Sequence, residues 1–125
     1  MPLSYALSTG NTVPVVSAAV ATGTAAAIPF TLQPRPDDGD HTIDFAAIGA
    51  GAVPTTVTAD LEVSNDNQAT WQKYSTATNG MALVATSVGT NQQAKNVPAG
   101  PIFRLNITTL TLGSATSVNI VATQS

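Results

Sequence analysis

The sequence predicts an all-β fold: one antiparallel β-sandwich of about eight strands. Three observations carry that expectation. Within the stretch 55–74, TTVTADLEVSNDNQATWQKY, residues 57–64 alternate without a break. Val57, Ala59, Leu61 and Val63 point one way, while Thr58, Asp60, Glu62 and Ser64 point the other, and a period of two is the mark of a half-buried strand. Short apolar, β-branched runs then recur along the chain between clusters of Gly, Pro, Asn and Asp. Finally, no stretch supports a helix. The best helix former, Ala25-Ala26-Ala27, is hemmed in by Gly23 and Pro29.

Residues 1–12 show no clear period and contain Pro2, Gly10 and Asn11, so they read as an arm or extension preceding a sandwich over 13–125. The run 13–21 is apolar and β-branched, with Pro14 near its start, where proline suits a strand's first residues or an edge. Residues 24–33 read as a strand with Ile28, Phe30 and Leu32 inward, and 34–40 as a loop. A strand over 42–48 turns Ile43 and Phe45 inward, and 49–54 connects it to 55–74. In that central segment Ser64-Asn65-Asp66-Asn67 supplies the turn, since Asn and Asp tolerate left-handed backbone and bond their own main chain. The turn makes 55–74 a hairpin, whose returning strand carries the only tryptophan. Trp71 and Tyr74 have opposite parity. Trp71 is assigned to the core and Tyr74 to the surface or an interface.

Beyond the hairpin, 81–88 is apolar on both faces and reads as an interior strand, whereas 89–100 is a long polar loop. Pro101 opens a strand with Phe103, Leu105 and Ile107 inward and Arg104, Asn106 and Thr108 outward. After a turn at Leu112-Gly113-Ser114, Val118, Ile120 and Ala122 form a last strand, expected to pair as a hairpin with its predecessor. Jelly-roll and immunoglobulin-like topologies both fit this order. An antibody-type domain is excluded by the missing cysteines.

Composition bounds function. Charged residues make up 9% of the 125-residue chain and the net charge is −3. Hydroxyls and amides must therefore cover the surface, and these pack against a neighbour without the cost of desolvating ions. With four Lys and Arg in all, no basic stripe exists to neutralise phosphates, which argues against nucleic acid as a partner. The absence of cysteine removes disulfides, thiolate chemistry and thiolate zinc sites. No Sec-type leader is legible at the start, and no apolar run approaches the ~18 residues of a membrane span. A soluble, cytoplasmically made chain with no membrane partner is expected.

Candidate chemistry is sparse. Asp37, Asp38 and Asp40, with His41 and Asp44 nearby, offer hard oxygen ligands for Ca²⁺, but their spacing does not match an EF-hand and they read as a solvated acidic turn. No metal or other cofactor is expected. His41 has no serine in a nucleophile-elbow context to work with. Asp60 and Glu62, roughly 6.5–7 Å apart by strand rise, have the separation of a glycosidase pair, yet lie on one strand rather than across a cleft. They read as an exposed acidic face or as partners for the isolated Arg104. Asn106-Ile107-Thr108 matches a glycosylation sequon, with its central residue turned inward.

The runs LEVSNDNQATWQKY (61–74) and VPAGPIFRLNITTLTLGSATSVNIVAT (97–123), joined by a polar segment, resemble small virion structural proteins of tailed bacteriophages. There, a strand, a Ser-Asn-Asp turn and a Thr-Trp strand precede an Arg-Leu-Asn strand and a closing Thr/Ser/Val-rich strand. The resemblance spans 55–123 and implies a non-enzymatic part of a particle, made in the host bacterial cytoplasm and residing in the virion. A capsid decoration or cement protein is the leading expectation. Its partners would be the major capsid protein or other virion proteins, and sister copies in a homo-oligomer, with a trimer favoured. Met1, Leu3, Tyr5, Leu7, Arg35, Tyr74, Gln92, Gln93 and Arg104 are the expected interface residues. The alternative is a tail or fibre component that recognises host-surface glycan.

Overall fold

The computed structural model describes residues 5–7, 11–33, 41–52, 54–74, 81–82, 91–97 and 100–124. Ten strands and no helix lie among them: β1 (Tyr5–Ala6), β2 (Thr12–Ala19), β3 (Phe30–Thr31), β4 (His41–Gly49), β5 (Thr56–Ser64), β6 (Gln72–Lys73), β7 (Met81–Ala82), β8 (Asn91–Val97), β9 (Ile102–Thr111) and β10 (Val118–Gln124). Four of the ten, β1, β3, β6 and β7, are two-residue pairings. The first sheet runs β1-β3-β9-β5-β6, with β7 also on β5, and the second runs β2-β10-β4-β8. Every pairing is antiparallel except β1 with β3.

The alternation seen in the sequence decides which faces meet. Val57, Ala59, Leu61, Phe103, Leu105 and Ile107 of the first sheet are buried against Val15, Val16, Ile43, Phe45, Val118, Ile120 and Ala122 of the second. Phe30 joins the layers. Its ring stacks on Phe103 at 6.0 Å and meets Phe45 edge-on at 6.1 Å. Each buried phenylalanine contributes about 1.5–3 kcal/mol by leaving water, and each aromatic pair about 0.5–1.5 kcal/mol more. A bulge where Thr58 pairs Thr109 and Ala59 pairs Ile107 shifts the parity of β9, so Leu110 rather than Thr109 packs toward the core.

Several expectations are corrected. The span 24–33 is not one strand. Ser17 N donates to Ala26 O and Ile28 N to Val15 O, tying it to β2, while Gly23 and Ile107 exchange hydrogen bonds on β9. The segment thus divides its main-chain bonds between the two sheets and closes one side of the sandwich. The polar run assigned to a loop at 89–100 contains β8, which pairs β4 from His41↔Val97 to Ala46↔Asn91. Main-chain bonding to a long neighbour needs no side-chain periodicity, which is the only cue the sequence could have offered. The last strand does not form a hairpin with β9. After the turn at Leu112, where Gly113 takes φ +61, β10 crosses to the second sheet and inserts between β2 and β4. Of the strand expected over 81–88, only 81–82 fall within the described residues.

The N-terminal boundary also changes. Leu7 is 1% exposed and belongs to the core, and its N–H donates to Thr31 O. Residues 5–7 are therefore part of the sandwich rather than of an arm. At the other end Gln124 is fully buried, and its amide accepts from Gln33 N–H and donates to Gln33 C=O, both at 2.9 Å, so that β10 is bonded to the segment after β3. Its two polar groups are both satisfied, as burial requires. No helix among the described residues is long and apolar enough to cross a membrane.

The burial of Leu7 gives a direct expectation. Leu7→Ala lowers the unfolding free energy by about 2–5 kcal/mol, measured from the urea midpoint at constant m-value. A docked arm would leave the midpoint unchanged.

Candidate functional site

The outer face of the first sheet gathers most of the charge in the described structure. Strand alternation places Glu62 on β5 and Arg104 and Asn106 on β9 on this face, and Glu62 and Arg104 are register partners. Arg104 Nε donates to Glu62 Oε1 at 2.7 Å, and Asn106 Nδ2 to Glu62 Oε2 at 3.3 Å. Beside them Lys73 Nζ lies 3.2 Å from Asp60 Oδ2. The Arg104 guanidinium also covers Trp71, its central carbon 4.2 Å from the ring centroid. A strip of aromatic, cation, carboxylate and amide thus crosses β6, β5 and β9.

The local chain explains Trp71 and reverses the expected assignment. Tyr74 N–H donates to Leu61 O, which carries Tyr74 inward with the Leu61 set. Its ring meets Phe103 edge-on at 5.8 Å. Trp71, three residues earlier, has the opposite parity and stands half-buried on the outer face. The two rings do stand on opposite faces, as their parity predicts. The larger apolar ring is the outer one, because the Arg104 guanidinium provides the indole with a partner outside the core.

The acidic pair cannot serve as a free acid and base. Asp60 is 4% exposed and bound to Lys73, and both oxygens of Glu62 are occupied. Nor is this a solvated acidic face. The sequon side chains are likewise engaged, Asn106 with Glu62 and Thr108 Oγ1 with Thr58 O. The strip can stack and hydrogen-bond, and it is held rigid by its internal pairs.

The turn that follows β5 is equally tight. Ser64 Oγ accepts from Gln68 N–H and donates to Asp66 Oδ1, which also receives Thr70 N–H. The Thr70 hydroxyl donates to Asp66 Oδ2. These donors, the Thr70 hydroxyl first, hold the Asp66 carboxyl down to about 2 from the usual 3.8. Asn67 and Gln68 take left-handed backbone, at φ 57 and 71.

The other expected site residues are scattered. Met1, Leu3, Arg35, Asp37, Asp38 and Asp40 lie outside the described residues. Tyr5 sits in β1, paired with Phe30. Leu7 and Tyr74 are turned into the chain's own core, so neither is an outward contact. Gln92 and Gln93 lie on β8 opposite Phe45 and Asp44, not in a loop. His41 opens β4. Asp44 Oδ1 is buried without a hydrogen-bond partner among the described residues. No group of His, Cys, Asp or Glu able to hold a metal occurs among them. Sequence reasoning offered Arg104 a partner in Glu62 or Asp60, of which Glu62 takes it and Asp60 pairs Lys73 instead. It missed Trp71, for which opposite parity to Tyr74 was the available signal. Comparison with family models, curated proteins and solved structures finds no match to this chain.

Two measurements check this site. Arg104→Ala lowers stability by about 1–3 kcal/mol, between the values for exposed and buried pairs, because the side chains of the pair are 24% and 13% exposed. Arg104→Lys restores only part of this, since a compact ammonium cannot bond Glu62 and lie flat on Trp71 at once, and the emission of the sole tryptophan shifts in both variants. Asp66 has a folded pKa below its unfolded one, so the stability it supplies is complete above about pH 4 and is lost as pH falls through about 2. Asp66→Asn therefore flattens the stability profile across that acid window, as followed by thermal melts at stepped pH.

Proposed function

We propose that the protein is a non-enzymatic structural component of a tailed-phage virion, a capsid decoration or cement protein that works by binding. The observation that carries this reading is β8: a polar strand at the end of the second sheet, with no further strand beside it among the described residues. A strand edge of this kind recruits a neighbouring chain through main-chain bonds. The low-charge surface fits close packing in a shell, and carboxylates tied up in internal pairs fit a part without chemistry. In this reading β8, which carries Gln92 and Gln93, pairs along its main chain with a capsid subunit or a sister copy, and a trimer suits a three-fold position of a shell. The sandwich is of jelly-roll or immunoglobulin-like kind.

A second reading, a tail or fibre component recognising host-surface glycan, gains from one observation. Trp71 is on the outer face beside Arg104 rather than in the core. Half-exposed aromatic rings suit the C–H faces of sugars, and the fixed ring orientation lowers the ordering cost of binding.

The chain is expected to band with purified particles in a density gradient and to be labelled on heads by antibody. Label confined to tail tips favours the second reading, and absence from particles overturns both.

A further inference from the structure

A cleft of about 440 Å³ opens where the turn after β5 faces the start of β9. Its described lining is Ser64, Asn65, Asn67, Gly100, Pro101 and Ile102. Ser64 and Ile102 are register partners. The cleft therefore sits on the last rung of the β5–β9 ladder, and its walls are the chain segments leaving that rung. Ile102 shares the outer face with Arg104, two residues along β9.

The lining selects a ligand by what it offers. Asn65 and Asn67 are exposed, and no described residue engages either side-chain amide. Each amide presents two donors and an acceptor. Pro101 and Ile102 supply an apolar surface beside them. No charged side chain is among the described lining residues, and the nearby Asp66 is committed to Ser64 and Thr70. Among the described lining residues an anion finds no cation and a metal ion no carboxylate. A wholly apolar ligand would desolvate two amides without return. A neutral saccharide matches on both counts: its hydroxyls pair with amides and its C–H face packs on proline and isoleucine. The volume lies within the roughly 300–1,000 Å³ of small-ligand sites.

The turn also fixes the main chain that carries the two asparagines before any ligand arrives. Consecutive left-handed residues at Asn67 and Gln68 are held by the bonds of Ser64 and Asp66 to Gln68 and Thr70. Such backbone strain persists only where the surroundings over-determine it, and a preset loop lowers the ordering cost of binding.

We propose that this cleft binds a neutral saccharide through the Asn65 and Asn67 amides over Pro101 and Ile102. The proposal rests on the glycan reading for its ligand class and places the contact in the cleft rather than on Trp71. It is tested by ¹H–¹⁵N NMR of the full chain, titrated with neutral oligosaccharides of glucose, galactose, mannose, rhamnose and N-acetylglucosamine. At least one produces saturable shifts at the side-chain amides of Asn65 and Asn67 and the main-chain amides of Gly100 and Ile102. Asn65→Ala combined with Asn67→Gly weakens that binding about tenfold or more with an unchanged melting temperature. Glycine is chosen at 67 because it accepts the positive φ. Saturable shifts at the Trp71 indole N–H alone overturn the cleft and leave glycan recognition standing. No shifts with any sugar remove both. Binding left intact in the double variant also overturns the cleft.

Discussion

The contact on which the sandwich depends is Phe30 between Phe103 and Phe45. β3 is only two residues long, yet it delivers this ring to the interface of the two sheets. The surrounding chain is arranged to hold it there. Residues 26–28 bond to β2, Gly23 bonds to β9, Tyr5 pairs Phe30, and Gln124 bonds both main-chain groups of Gln33. A short strand could not hold its position by ladder bonds alone. It does so because its neighbours on both sides are parts of the core, and the burial of Leu7 and Leu32 follows from the same arrangement.

The outer face of the first sheet answers a different constraint. A chain poor in charge has placed two acids and two bases side by side on β5, β6 and β9, and each acid meets a base. Pairing of this kind contributes little net stability when exposed and prevents a large penalty when buried. Asp60 is at the buried end of that range and Lys73 at the exposed end. The consequence for function is that these residues form a stiff scaffold. Among the described residues, polar groups open to a ligand include the amides at the end of the β5–β9 ladder and main-chain groups along β8.

The fold was largely legible in the sequence because it rests on alternation. Val57 to Leu61, Phe103 to Ile107 and Val118 to Ala122 announce their buried faces by period two, and all are buried. The turn at Ser64 to Asn67 was legible from local chemistry, as was the break at Leu112-Gly113-Ser114, but the turn runs on to Thr70, where the returning strand was expected, because Asp66 binds Thr70. The candidate site was legible only in part. Arg104 and Glu62 could be matched as an isolated cation and a nearby acid. Which ring of the returning strand lay outside could not be decided, because parity separates Trp71 from Tyr74 without saying which is which.

By itself, then, the sequence determined the strand class, the inward residues of the long strands and the turn chemistry, since these depend on neighbours within a few positions. Partnership was decided only by the tertiary structure. It sent β10 to the second sheet instead of back onto β9, made a strand of the polar run Asn91–Val97, divided residues 23–31 between two sheets and drew Leu7 into the core. Each of these turns on main-chain hydrogen bonds and packing between residues distant in the chain. Such bonds are nearly indifferent to side-chain identity and leave no periodic trace.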